Sequence, residues 1–251
     1  MRDKKKLNGI WIMGKNCLKE VLTACPERII SIVSSKEADD SLLKEAKTIG
    51  ISFEKRSREA LDQLLQSDSH QGYAAKLKPQ EPISLEGFLK TQENKEKSLV
   101  LALDSVFDPQ NLGAILRACE CFAVDAVLWS KNRGASLSPS ARKASVGASE
   151  IVPCILVSNL AQSIKTFQKA GYWSLATAID ENASDLYSFD FPEKTLLLLG
   201  SEGKGLQNLV LKNADFKVFI PMQGQIDSLN VSQAAAVLLS AWRAKFNCKI
   251  T

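Results

Sequence analysis

Residues 195–206 read TLLLLGSEGKGL: four consecutive leucines deliver the chain into a loop that holds Gly200, Gly203 and Gly205. A strand that is apolar at every position, rather than at alternate ones, buries both of its faces, as in a parallel sheet covered by helices on both sides. Ligands of such sheets gather at the carboxyl ends of the strands, which is where this loop falls. It is not a Walker phosphate cradle, which requires G-x-x-x-x-G-K-[ST], nor does a G-x-G-x-x-G fingerprint follow the first strand of the region. Glycines around Glu202 instead let the main chain approach a flat ligand, with one carboxylate placed to accept from hydroxyls or amines. A glycine-rich turn carrying a solvated glutamate is the plainer alternative, and Lys204 is read as solvated.

The same alternation extends outward in both directions. SLVLALDSV (98–106) leads to NLGAILRACECF (111–122), DAVLWS (125–130) to SPSARKASV (138–146), and VPCILV (152–157) to NLAQSIKTFQKAG (159–171). YWSLATAI (172–179) adds a strand; a short helix near 206–211, the strand FKVFIP (216–221) and a long helix from about Ser228 to Phe246 complete the region. Strands alternating with helices predict an α/β domain with a parallel sheet over residues 98–251. Upstream, RIISIVSS (28–35) and GISFEKR (50–56) read as short strands. DDSLLKEAKTIG (39–50) and SREALDQLLQ (57–66) read as helices capped by Ser41 or Asp40 and by Ser57. Residues 1–79 are therefore a small N-terminal α/β domain, and residues 80–97, with Pro82, Gly87 and a charged run, read as a linker.

Composition narrows the function. The 251 residues are 45% apolar and 24% charged, ordinary for a globular chain, with no apolar run long enough for a bilayer and no leader pattern at the N-terminus; a cytoplasmic protein is expected. Six scattered cysteines and a single histidine, His70, support neither a zinc site nor a disulfide framework, so no metal is expected. The same scarcity weakens hydrolase chemistry of the Ser-His-Asp kind. The formal net charge is +4, and residues 1–79 hold 15 Lys/Arg against 11 Asp/Glu, so the excess basicity lies in the N-terminal third. That distribution suits a module docking a polyanion, although a lightly basic solvated surface is equally consistent.

Two further loops hold polar residues after strands, and a middle segment at a helix start adds a basic pair. In DSVFDPQNLGAILRACE (104–120), Asn111 and Arg117 enter a helix; six residues apart, they diverge in azimuth, and a cap and a solvated arginine account for them equally well. In IPMQGQIDSLNVS (220–232), Ser228 and Asn230 stand at the mouth of an alanine-rich helix, where Ser228 is a candidate N-cap. In SARKASVGASEIVP (140–153), Arg142 and Lys143 form a basic pair able to hold a phosphate or simply to face solvent.

Taken together, N-L-G-A-I-L-R after a first strand, G-S-E-G-K-G-L late in the chain, and I-P-M followed by S-L-N-V-S before the last helix resemble the three motifs of the SpoU family of RNA 2′-O-ribose methyltransferases. The resemblance spans residues 98–246. HQGYAA (70–75) is similar to the end of the substrate-binding domain in the family's ribosomal RNA branch. The resemblance implies S-adenosylmethionine as methyl donor, a deep trefoil knot in the catalytic domain, and a homodimer with sites built from both protomers. Carried over by position, it implies Thr177, Gly200, Ile220 and Leu229 around the cofactor. It makes Arg117 the catalytic arginine and Asn111 its motif partner, with Glu202, Ser228 and Asn230 at the reacting centre, and His70 and Gln71 facing RNA. The expected substrate is a guanosine of 23S rRNA. A transfer-RNA ribose methyltransferase and a non-catalytic RNA-binding protein are the alternatives. An oxidoreductase lacks both the early glycine fingerprint and an acidic residue after the second strand, where Trp129-Ser130 falls.

Overall fold

The computed structural model describes residues 9–201, 203–226 and 228–246. Residues 10–77 build a four-stranded mixed sheet from β1 (Ile10–Met13), β2 (Ile29–Ser34), β3 (Phe53–Lys55) and β4 (Tyr73–Leu77), in the order β1-β4-β2-β3. Strand β4 is antiparallel to both β1 and β2, and β2 is parallel to β3. Around this sheet lie α1 (Lys15–Ala24), α2 (Ser41–Thr48) and α3 (Arg58–Leu65). Asp40 rather than Ser41 caps α2, its carboxylate accepting from the amides of Leu42 and Leu43, while Ser57 caps α3 as expected. β1, α1 and β4 are additions to the expected elements. The signal was present in α1, whose buried Cys17, Leu18, Val21 and Leu22 fall at helical spacing, and in the short apolar runs of β1 and of β4, the strand at which HQGYAA ends.

The expectation of a linker at 80–97 is corrected. These residues contain α4 (Leu85–Thr91), capped by Ser84, and its Phe88 is buried with its ring centroid 6.2 Å from that of Phe167. Leu85, Phe88 and Leu89, at i, i+3 and i+4, pack the segment onto the larger core; the pattern is one short helix long and lies among charged residues.

Seven parallel strands form the second sheet: β5 (Ser98–Asp104), β6 (Ala126–Ser130), β7 (Cys154–Val157), β8 (Trp173–Thr177), β9 (Ser184–Asp185), β10 (Lys194–Gly200) and β11 (Phe216–Phe219), in the order β7-β6-β5-β10-β8-β11-β9. The helices are α5 (Pro109–Cys121), α6 (Pro139–Ser145), α7 (Leu160–Lys169), α8 (Asn208–Lys212) and α9 (Val231–Lys245). The unbroken leucines now have a physical account. Leu197 and Leu199, with Leu99, Leu101 and Leu103, face a core closed by α5 and α9, whereas Leu196, Leu198, Val100 and Ala102 face one closed by α4, α7 and α8. Because alternate side chains point to opposite faces, both faces had to be apolar. No helix among the described residues is long and apolar enough to cross a membrane.

Candidate active site

The carboxyl ends of β8, β10 and β11 bring Thr177, Gly200 and Ile220 to the same rim of the sheet. Thr177 is paired with Val218 of β11, and Gly200 with Asp104 of β5; Ile220 directly follows β11. Thr177 Oγ1 donates to the carbonyl of Leu198 at 3.2 Å. After Gly200 the chain turns back upon itself, with reciprocal main-chain hydrogen bonds between Ser201 and Gly205 of 3.2 and 2.9 Å. A Cβ on Gly200 would stand 2.1 Å from the carbonyl carbon of Gly205, so no other residue fits. Gly203 (φ 77°) and Gly205 (φ 63°) adopt the left-handed conformation the turn requires. Glu202 lies outside the described residues.

This turn is anchored by a residue that sequence reasoning missed. Asp104, buried at the end of β5, accepts from the main-chain amide and from the side-chain amide of Gln207, each at 2.7 Å. A carboxylate ending the apolar run LALD was the available signal, since a charge at a buried strand end needs partners nearby.

Two helix starts meet beside this rim. Asp108 caps α5 by accepting from the Gln110 amide at 3.0 Å, with Pro109 in the first turn, which leaves Asn111 inside the helix rather than at its cap. Asn230 caps α9: its Oδ1 accepts from the Ser232 amide at 2.9 Å and from the Ser232 hydroxyl at 2.6 Å. The Nδ2 of Asn230 donates to Asn111 Oδ1 at 3.0 Å, which locks both amides in one orientation. The helix therefore starts later than expected, and Ser228, read as a possible cap, is an exposed residue ahead of it; Leu229 is half-buried.

Arg117 does not join that pair. Six residues along α5 place it about 9 Å further down the axis and about 120° around from Asn111. There it is exposed, without a hydrogen bond or ion pair among the described residues, on the wall of a cavity of about 220 Å³. Asn16 and Glu20 of α1, and Ser145 and Val146 at the end of α6, line the same cavity. Gly113, the glycine of the same motif, lets α5 approach α6: a Cβ there would lie 2.4 Å from the carbonyl oxygen of Ala141.

Of the residues expected to face RNA, His70 and Arg142 have their polar groups engaged within the protein. His70 is fully buried; its Nδ1 accepts from the Gly72 amide at 2.9 Å, which leaves the proton on Nε2, 2.7 Å from Asp62 Oδ1. With both nitrogens occupied it organises its own loop and presents nothing to a ligand. Gln71 is exposed, but its Oε1 accepts from the Lys15 amide at 3.0 Å and so supplies the start of α1 with the cap that Gly14 cannot. Arg142 is corrected likewise. Its guanidinium is half-buried and bonded to Glu150 Oε1, its Nε donates to the Leu137 carbonyl, and burial is the main reason its pKa lies below the usual arginine value. Lys143 remains exposed.

Burial pushes the thiols of Cys17 and Cys154 up to about 12 and that of Cys119 well above the ordinary value, so none of the three is poised as a nucleophile. No group of three metal-ligating side chains occurs among the described residues.

Comparison with known proteins matches residues 98–240 to the SpoU rRNA methylase family and residues 11–83 to the substrate-binding domain of RNA 2′-O-ribose methyltransferases. The 23S rRNA (guanosine-2′-O-)-methyltransferase RlmB of Photobacterium profundum is 36% identical, over 91% of this chain and 94% of that protein. A Staphylococcus aureus protein assigned to the TrmH family of tRNA/rRNA methyltransferases is 38% identical, over 91% and 93%. Among solved structures, the SpoU methyltransferase AviRb of Streptomyces viridochromogenes, in complex with AdoMet, has a TM-score of 0.74 at 21% identity and covers 96% of this chain and 92% of its own. A TrmH/SpoU tRNA modifying enzyme of A. aeolicus has a TM-score of 0.54 at 26% identity, with 64% of this chain and 83% of its own covered.

Proposed function

The chain belongs to the SpoU family of RNA methylases, and from that premise we propose that it transfers a methyl group to the ribose 2′-hydroxyl of a guanosine in 23S rRNA. It is an RNA (ribose-2′-O)-methyltransferase that uses S-adenosylmethionine. The observation that carries the reading is the gathering of the Asn111–Asn230 pair and the ends of β8, β10 and β11 at the carboxyl edge of one sheet. A 23S rRNA target is favoured over tRNA because the match to RlmB runs through both halves of the chain, whereas the tRNA enzyme covers 64% of it.

The residues at the rim fit the cofactor. Thr177, Gly200, Ile220 and Leu229 are uncharged and offer main-chain groups and aliphatic surface, which suit an adenine and a sulfonium better than a phosphate would be suited. S-adenosylmethionine supplies an electrophilic methyl whose positive charge disappears on transfer, so positioning of the hydroxyl matters more than electrophilic assistance. Arginine stays protonated in proteins, which excludes Arg117 as the base; its guanidinium clamps the adjacent phosphate and orients the 2′-oxygen. Asn230, held by Asn111, and Ser228 bind the ribose hydroxyls, and the proton passes to Glu202 or to the phosphate. Residues 1–79, with the exposed Gln71, and the exposed Lys143 of α6 contribute RNA contacts.

The separation of Arg117 from the Asn111–Asn230 pair supports a homodimer in which one protomer's arginine serves its partner's site. The open groove between α9 and Tyr187 and Phe189 offers an apolar face for that assembly. A deep trefoil knot accompanies the reading. Its support is that β10 inserts between β5 and β8, and that α9, which follows β11, returns to pack on α5 and β10. A cytoplasmic location accompanies the rRNA reading.

The test is a map of 2′-O-methylation across total RNA from cells with and without the protein. Loss of one guanosine mark in 23S rRNA is expected. Loss of a tRNA mark instead would transfer the activity to tRNA, and an unchanged map in the presence of bound RNA would leave a binding protein.

A further inference from the structure

Glu150 is the most constrained charge at the seam between the two sheets. Its side chain is 1% exposed and follows the turn after α6; Arg28, just before β2, and Arg142, in α6, reach it from opposite sides with side chains 13% and 15% exposed. Arg28 Nη2 donates to Glu150 Oε2 at 2.8 Å, and Arg142 donates to Oε1, which also accepts from the Ser149 hydroxyl at 3.2 Å. The main-chain carbonyl of Glu150 accepts from Arg28 Nη1 at 2.9 Å and from Gln80 Nε2 at 2.6 Å. Arg28 is itself held by the Lys78 carbonyl, through Nε at 3.2 Å and Nη2 at 2.9 Å. One residue of the catalytic half thus gathers Arg28 and Gln80 from the N-terminal part of the chain.

We infer that Glu150 is a positioning residue: it locks the substrate-binding half onto the catalytic half in one orientation, so that RNA gripped by the first meets Arg117 of the second. This rests on the methyltransferase reading above. A buried carboxylate between two guanidiniums is a poor way to gain stability, since apolar side chains of the same volume do as well or better; what the charges add is a geometry that tolerates no slippage. The consequence reaches the site through α1. The Cβ of Glu20 lies 3.0 Å from where a Cβ on Gly147 would stand, so α1 rests on the turn that carries Glu150. Asn16 and Glu20 of the same helix line the cavity that Arg117 lines.

The experiment uses the full-length protein with two RNA probes: an in-vitro transcribed 23S rRNA domain containing the target guanosine, and a short hairpin of that guanosine alone, too small to reach both halves. Glu150→Gln and Arg28→Ala are compared with wild type, and S-adenosylmethionine binding reports the integrity of the catalytic half. The expected result is a rise of about tenfold in KM for the long RNA with kcat within about twofold, and unchanged kinetics on the hairpin. Equal losses on both probes, no loss on either, or loss of S-adenosylmethionine affinity in both variants would overturn the inference. Failure of wild type on both probes would instead refute the methyltransferase reading itself.

Discussion

Arg117 and Arg142 stand on neighbouring helices and offer the same guanidinium, yet they occupy opposite environments. Arg117 is exposed beside a cavity, with no partner among the described residues; Arg142 is half-buried and bound to a buried carboxylate. A guanidinium serves a ligand only while its donors are unspent. Arg117 retains that capacity, and Arg142 has given it to Glu150. Both looked alike in the sequence because side-chain type does not state what neutralises it.

The contrast is sharpest at Arg117 itself. Arg117→Lys keeps the charge but loses the planar fork, and kcat is expected to fall about a hundredfold, with S-adenosylmethionine affinity and melting temperature unchanged. Near-full turnover with unchanged RNA affinity would refute the bidentate clamp. At Arg142 the expected damage is to stability. Arg142→Ala removes one of the two guanidiniums paired with a buried carboxylate, so urea denaturation should show a loss of about 3 kcal/mol. An unaltered midpoint together with weaker, less salt-sensitive RNA binding would erase the distinction between the two arginines. The smallest effect belongs to the next residue. Lys143→Ala should leave stability within about 0.5 kcal/mol while lowering the salt dependence of RNA affinity by roughly one counterion.

Legibility followed length and periodicity. The strands of the large sheet, its helices and the location of the polar residues after strand ends were readable, because burial on both faces writes unbroken apolar runs into β5, β6 and β10. The two-residue strand β9 left no such trace, and α4 left only a short helical pattern, Leu85, Phe88 and Leu89, within a charged segment. Among site residues, the grouping of Gly200 with Asn111 and Asn230 came from motif order, but the hydrogen bond between the two asparagines did not. His70 and Gln71 were marked as a motif without any indication that one is a buried loop organiser and the other a helix cap.

By itself, then, the sequence determined the parallel α/β sheet, the place of the glycine turn at its carboxyl edge and the family resemblance, since each depends on local pattern and chain order. Only the tertiary structure decided which polar residues remain available. Asp104 lies 103 positions from Gln207, and Arg28 lies 122 from Glu150, and no local pattern specifies a hydrogen bond across such a distance. Partnership in a buried network is a property of folded geometry, and it is what separates the exposed Arg117 from Arg142, which is bound to a buried carboxylate.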